Sequence, residues 1–218
     1  MTPRIKICCI SNVSEATAAV SAGASAIGLV GRMPSGPGVI ADELIAEIAR
    51  SVPPPVGTFL LTSESRADEV VAHHRRVHTD TIQLVDALEE RDYDSIRSAL
   101  PTVRLVQVIH VIDQGSVDEA CAVAPHVDAV LLDSGNPNLQ VKELGGTGRV
   151  HNWELSRKIV ETCGKPVFLA GGIKASNVRE AYERVGPFGF DLCSSVRTDG
   201  RLDPRKLGEF FESLEFRL

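Results

Sequence analysis

Val167-Phe-Leu-Ala-Gly-Gly-Ile-Lys-Ala-Ser-Asn-Val-Arg-Glu-Ala-Tyr-Glu-Arg-Val-Gly-Pro-Phe-Gly-Phe-Asp-Leu-Cys193 holds one complete structural period. A short apolar run, 167–170, ends at two glycines. A helix-like segment, 176–185, follows and is stopped by Gly186-Pro187, since glycine suits a helix end and proline cannot continue one. A second short run, 189–193, comes next. Working outward, the same rhythm fills the chain. The apolar runs are 4–9, 26–30, 56–61, 81–85, 104–111, 127–133, 167–170 and 189–193. They are short and many are rich in Val and Ile, which favours strands over helices. Helix-like segments lie between them. One begins at Asn12, with Glu15 completing a capping-box pattern and Gly23 at its end. The others are 42–50, 66–76, 93–100, 116–123, 153–163, 176–185 and 203–214. Eight strand–helix pairs in 218 residues predict an α/β fold, a single-domain (β/α)8 TIM barrel spanning 1–218. A doubly wound open sheet is the rival, but it needs fewer strands.

Composition sets the limits. Lys plus Arg is 23 and Asp plus Glu is 29, giving a formal charge of −6. That balance offers no electrostatic footprint for nucleic acid. The basic cluster His73-His74-Arg75-Arg76 reads as a solvated helix face. Five cysteines, an odd number without CxxC spacing, argue against a disulfide framework and for a reducing cytoplasm. No apolar stretch approaches the ~18 residues of a membrane span, and the amino terminus lacks a signal-peptide pattern.

In a β/α barrel the chemistry sits at the carboxyl ends of strands. Side chains alternate along a strand, so Lys6 and Cys8 share one face and Ile5 and Ile7 the other. The apolar face should meet the helices, which turns Lys6 and Cys8 inward. Cys8 is then a candidate base or nucleophile, or a small buried hydrophobe. Cys9 should point the other way, against a helix. Asp133 closes an apolar run, as a candidate general acid or as the cap of the following turn. Gly145-Gly-Thr-Gly148, the Gly171-Gly172 pair and Ser194-Ser195 follow late strands. Backbone N–H groups freed by glycine can close around phosphate oxygens there, although glycine also serves plain turns.

These residues resemble the phosphoribosylanthranilate isomerase family. Lys6-Ile-Cys-Cys-Ile10 is similar to its Lys-Ile-Cys-Gly-Ile opening. Gly23-Ala-Ser-Ala-Ile-Gly-Leu-Val30, Ile82-Gln-Leu84, Ala129-Val-Leu-Leu-Asp-Ser134, Gly145–Gly148 with Trp153, and Pro166–Ile173 with Asn177 follow in family order. Pro187–Arg197, Gly200, Asp203 and Lys206 complete the match. The resemblance implies a (β/α)8 barrel that performs an Amadori rearrangement in tryptophan biosynthesis, with no cofactor and no metal. It implies Asp133 as general acid and Cys8 as general base. Around the substrate and its phosphate it implies Gly146, Gly171, Gly172, Ser194, Ser195 and Asp191, with Gln83 in a matching motif. Lys6 is expected beside the base, where a positive neighbour favours a thiolate. Asp191 has a second reading, as a buried polar tie of the barrel interior.

The chain departs from the family on the substrate side. The Ser-Pro-Arg stretch after strand 2 is here Arg32-Met-Pro-Ser-Gly-Pro-Gly38, and Arg32 is the residue left to reach the substrate carboxylate. Gln-Leu-His-Gly becomes Gln83-Leu-Val-Asp86, and Phe-Asp-Trp becomes His151-Asn152-Trp153, with His151 expected on the barrel rim. Ser-Gly-Val-Glu becomes Ser194-Ser-Val-Arg197, which exchanges a negative charge for a positive one. Three functions follow: the family isomerase with an altered aryl pocket, a relative acting on another sugar phosphate, or a non-catalytic barrel binding a phosphorylated ligand. Retention of both Cys8 and Asp133 favours an enzyme. The expected partner is a small phosphorylated sugar, with no nucleic acid and no membrane, and with the chain in the cytoplasm as a monomer or homodimer.

Overall fold

A computed structural model describes residues 3–135 and 151–214. Its strands are β1 (Arg4–Ile7), β2 (Ala26–Val30), β3 (Gly57–Thr62), β4 (Thr81–Leu84), β5 (Arg104–His110), β6 (Ala129–Asp133), β7 (Val167–Leu169) and β8 (Gly189–Leu192). The helices are α1 (Val13–Ser21), α2 (Asp42–Ser51), α3 (Ala67–Val77), α4 (Glu90–Ala99), α5 (Gly115–Val123), α6 (Trp153–Thr162), α7 (Val178–Val185) and α8 (Pro204–Ser213). The strands pair in sequence order and β8 closes on β1, giving the expected parallel (β/α)8 barrel. A short hairpin, β9 (Arg197–Thr198) and β10 (Arg201–Leu202), precedes α8 and has no counterpart among the sequence expectations. Among the described residues, no helix is long and apolar enough to cross a membrane.

Two apolar layers follow from strand alternation. Ile5, Ile7, Ile27, Leu29, Leu60, Ile82 and Leu132 face outward and pack with helix residues such as Ile45, Val70 and Ile159. Cys8, Val30, Phe59, Leu61, Val106, Val108, Leu131 and Phe168 fill the barrel interior. Fully burying one such Leu or Ile contributes about 1.5–3 kcal/mol. The outward layer therefore fixes the register, because a one-residue slip would turn every inward side chain out.

Helix ends carry the predicted chemistry, with one change. Asn12 Oδ1 accepts from Glu15 N at 2.8 Å, but the Glu15 carboxylate takes the Ser11 amide, at 3.1 Å, instead of the cap residue's own. Asp203 caps α8 by accepting from the amides of Arg205 and Lys206. The solvated reading of His73-His74-Arg75-Arg76 is corrected in its first half: His73 is 2% and His74 6% exposed. Val70, His73, His74 and Val77 form one i, i+3, i+4, i+7 stripe, which is the buried face of α3. His73 bonds Thr62 Oγ1 and Asp42 Oδ1, and His74 Nε2 bonds the Thr79 carbonyl. Burial lowers both imidazole pKa values below the ordinary range.

Candidate active site

A cleft enclosing about 710 Å³ of space, open solvent included, lies at the carboxyl ends of the strands. Of the residues expected there, Cys8, Gln83, Asp133, Gly171, Gly172, Asp191, Ser194 and Ser195 line it. Gly146 and the rest of the Gly145–Gly148 loop lie outside the described residues.

Cys8 follows the last residue of β1, and its amide donates to the Leu192 carbonyl of β8 at 2.7 Å. Lys6 does not reach the cavity surface. It lies beneath, fully buried, with Nζ 2.8 Å from Asp191 Oδ1 and 5.4 Å from the Phe59 ring centre. Burial alone would push the Lys6 ammonium pKa down. Asp191, then Cys8, outweigh that effect and hold it above its ordinary value. Burial lifts the Asp191 carboxyl above the usual aspartate range against the pull of Lys6, and the nearby Asp133 adds to the lift. Both readings of Asp191 thus apply, as a tie to Lys6 and as a cavity wall.

Gly28 on β2 makes room for this arrangement. A Cβ there would stand 2.8 Å from Cys8 Sγ, 3.0 Å from Lys6 Nζ and 3.2 Å from Cys8 Cα. Gly28→Ala should therefore displace the thiol and lower kcat by about 10², the usual cost of a displacement near 1 Å. A folded G28A chain with unchanged steady-state kcat would contradict this.

Asp133 ends β6 opposite His110 of β5. Its Oδ1 accepts from the Ser134 amide at 2.7 Å, so the turn-cap reading holds together with the cavity position. Two histidines stand near it electrostatically: His110, which the sequence did not single out, and His151, expected on the barrel rim. Burial lowers the His110 pKa against the pull of Asp133. It lowers that of His151 to about 4, again against Asp133. His151 Nε2 is 2.8 Å from Ser156 Oγ. The only sequence signal for His110 was its place at the end of a strand.

The pKa of His151 falls from 6.5 to about 4 on folding. As pH drops through 6.5 the unfolded chain binds protons before the folded one. Stability that is complete above pH 6.5 therefore drains between 6.5 and about 4. His151 should account for roughly 1–2 kcal/mol of the loss between pH 6.5 and 5. Urea unfolding at several pH values checks this: His151→Gln should flatten the acid limb, and an unchanged slope contradicts the assignment.

On the far wall, Gly171 and Gly172 take φ values of 73° and 67°, a left-handed pair that side chains rarely adopt. Asn177 fixes the loop, donating from Nδ2 to the Gly172 carbonyl and accepting the Lys174 amide at Oδ1. Among the described residues, Ser195 Oγ and Gln83 Oε1 are buried with no hydrogen-bond partner, and both residues line the cavity. Unsatisfied buried polar atoms are rare; here they offer a ready-made donor and acceptor to a ligand.

Two expectations about nearby residues change. Arg32 is exposed and is not among the lining residues. Its carbonyl accepts from Ser63 Oγ, and Met33, Ser35, Gly36 and Pro37 of the same loop form the wall. No Lys or Arg is among the described residues lining the cavity. Cys9 does not face a helix. The strand ends at Ile7, so its alternation stops there, and Cys9 turns into the cavity wall at φ 61°.

Arg197, noted in the sequence only for its reversed charge, is 8% exposed and bonds the carbonyls of Cys8 and Cys9 through Nη2. It also pairs with Glu15, Nη2 to Oε2 at 3.1 Å. It thereby fixes the end of β1 to the segment after β8. Among the described residues, no three His, Cys, Asp or Glu converge as a metal ion would require.

Residues 5–213 match the family described as N-(5'phosphoribosyl)anthranilate (PRA) isomerase. A relative from Methanosarcina mazei, "N-(5'-phosphoribosyl)anthranilate isomerase 2", is 34% identical over 95% of this chain and 92% of its own. An N-(5'-phosphoribosyl)anthranilate isomerase from Methanocella arvoryzae is 32% identical over 97% of each. The solved phosphoribosyl anthranilate isomerase of Thermotoga maritima superposes with a TM-score of 0.81, at 25% identity over 98% of each chain. On the extent of these matches, together with the closed barrel, the chain belongs to the N-(5'-phosphoribosyl)anthranilate isomerase family.

Proposed function

We propose that this chain rearranges N-(5-phosphoribosyl)anthranilate to 1-(2-carboxyphenylamino)-1-deoxyribulose 5-phosphate in tryptophan biosynthesis, with Cys8 as general base and Asp133 as general acid. Members of the family are enzymes of the aldose–ketose isomerase type. One observation carries the assignment of roles. Cys8 and Asp133 line the same cavity, which continues to Gly171, Gly172, Ser194 and Ser195.

Asp133 gives its proton to the ribose ring oxygen. The bond from that oxygen to C1′ breaks, and the anthranilate nitrogen shares its electron pair to form an iminium. The Cys8 thiolate then removes the C2′ proton, and the electron pair neutralises the iminium as an enolamine. Tautomerisation to the ketone completes an isomerisation in which no atom is gained or lost. Lys6, kept charged by Asp191, places a positive charge beneath the Cys8 sulfur. Ser195, Ser194 and the Gly171-Gly172 backbone receive the phosphate, and Gln83 offers an acceptor to the sugar or amine. Each acid–base role supplies about 10²–10⁴ in rate, roughly 3–5 kcal/mol of barrier.

The partner is a small phosphorylated sugar, and the setting is the cytoplasm, which five free cysteines support. The chain acts there as a monomer or homodimer. The test is direct: the purified chain consumes phosphoribosylanthranilate, followed by the change in anthranilate fluorescence, and restores growth to a tryptophan auxotroph lacking this isomerase. Absence of turnover with phosphate-ester binding intact would move the reading to a different sugar phosphate.

A further inference from the structure

Three of the five cysteines meet at this cavity, and the proposed reaction uses one. Cys9 Sγ and Cys193 Sγ are 2.7 Å apart, although 184 residues separate them in sequence. A disulfide needs ~2.05 Å, so the sulfurs stand within roughly 0.7 Å of bonding distance. Cys9 is held there by its backbone, at a φ of 61° that side chains rarely adopt; such strain gathers at functional sites. The loop after β2 presses from behind. Cys9 Sγ lies 3.6 Å from the Pro37 carbonyl, and a Cβ on Gly38 would stand 2.6 Å from Cys9 Cβ. Both cysteines line the cavity, so a small oxidant reaches them.

We propose that Cys9 and Cys193 are a modification site for hydroperoxides, closing to a disulfide across the cavity wall beside Cys8 and blocking the site. The Cys193 thiolate attacks one peroxide oxygen. The O–O bond breaks, hydroxide leaves and takes up a thiol proton as water, and Cys193 becomes a sulfenic acid. The Cys9 sulfur then displaces the hydroxyl from Cys193. An S–S bond forms and a second water departs. In sum, two thiols and one hydrogen peroxide give one disulfide and two waters, with sulfur oxidised and peroxide oxygen reduced. The contact with Cys9 pushes the Cys193 thiol pKa down, burial opposes this, and Arg197 pushes it down further. Contacts with Cys193 and Cys8, then burial, push Cys9 up. Cys193, the more exposed of the two sulfurs at the cavity, therefore meets the peroxide first and attacks, and Cys9 resolves. Disulfides that form in reducing compartments are characteristically transient or redox-sensing.

The experiment treats the full chain with hydrogen peroxide without reductant, alkylates the remaining thiols and maps peptides without reduction. The expected result is a Cys9–Cys193 cross-link, with Cys8, Cys121 and Cys163 still alkylatable, and loss of most turnover that dithiothreitol restores. In Cys193→Ser the cross-link is absent, and peroxide leaves the variant's own turnover unchanged. The proposal is overturned if Cys9 and Cys193 both stay alkylatable, if Cys8 is the cross-linked partner, or if Cys193→Ser loses turnover to peroxide as the unmodified chain does. The blocking effect rests on the isomerase reading, whereas the peptide map does not. A chain without turnover would therefore still decide the disulfide.

Discussion

Cys8→Ala and Asp133→Asn should each lower kcat by 10²-fold or more, up to about 10⁴, while the chain remains folded. Alanine at position 8 keeps the backbone bond to Leu192 and removes the sulfur proposed to take the C2′ proton. Asparagine at position 133 can still accept the Ser134 amide through its carbonyl oxygen, so the turn survives, but it has no proton to give. KM should change far less than kcat, since neither group is asked to hold the phosphate. The double variant should be little worse than the poorer single one, because acid and base serve one sequence of steps and their effects do not add. Steady-state turnover with circular dichroism of each variant decides the matter. A folded variant retaining more than about a tenth of kcat would remove that residue from the chemistry.

Arg197→Ala should be the most destabilising substitution near the site, by about 3–5 kcal/mol. The Glu15 carboxylate is nearly buried and accepts from Arg197, Ser11 N and Leu202 N. Removing the guanidinium leaves that charge without its counter-ion and strips the carbonyls of Cys8 and Cys9 of their donor. The expected fall in Tm is roughly 6–20 °C for a domain of this size. Arg197→Lys keeps the charge but not the fork that spans Glu15 and two carbonyls, and should recover only part of it. The pH dependence is a second readout. Burial would raise the Glu15 pKa, but the Leu202 amide and Arg197 outweigh it and hold it below 4.5. Its contribution is therefore complete above pH 4.5 and lost as pH falls below it. In Arg197→Ala that acid limb should weaken. A Tm within 2 °C of the parent would show the pair to be dispensable.

Much of the scaffold was legible because it follows from local rules. Runs of Val, Ile and Leu separated by helix-length segments can bury both faces only as parallel strands under helices. Gly186-Pro187 and Asp203 mark helix boundaries by backbone chemistry that needs no distant partner. The same rules placed Ile5 and Ile7 against the helices and Cys8 inside. His73 and His74 were readable in principle, since they fall on the helical stripe with Val70 and Val77. Their polarity drew the reading toward solvent, although His73 has partners for both ring nitrogens and His74 Nε2 bonds the Thr79 carbonyl.

The sequence by itself determined the alternation of strands and helices, the inward face of β1 and the cavity's membership near Cys8, Asp133 and the late glycines. These rest on periodicity and on sterics within a few residues. Only the closed barrel decided that Lys6 lies under the cavity floor, that Arg32 stays outside it, that Cys9 turns inward, and that Arg197 grips both Glu15 and the end of β1. The contacts of Arg197 with Glu15 and of Cys193 with Cys9 join residues 182 and 184 positions apart. Such contacts exist because β8 closes on β1, and no local pattern carries the distance between two chain segments that meet only on closure.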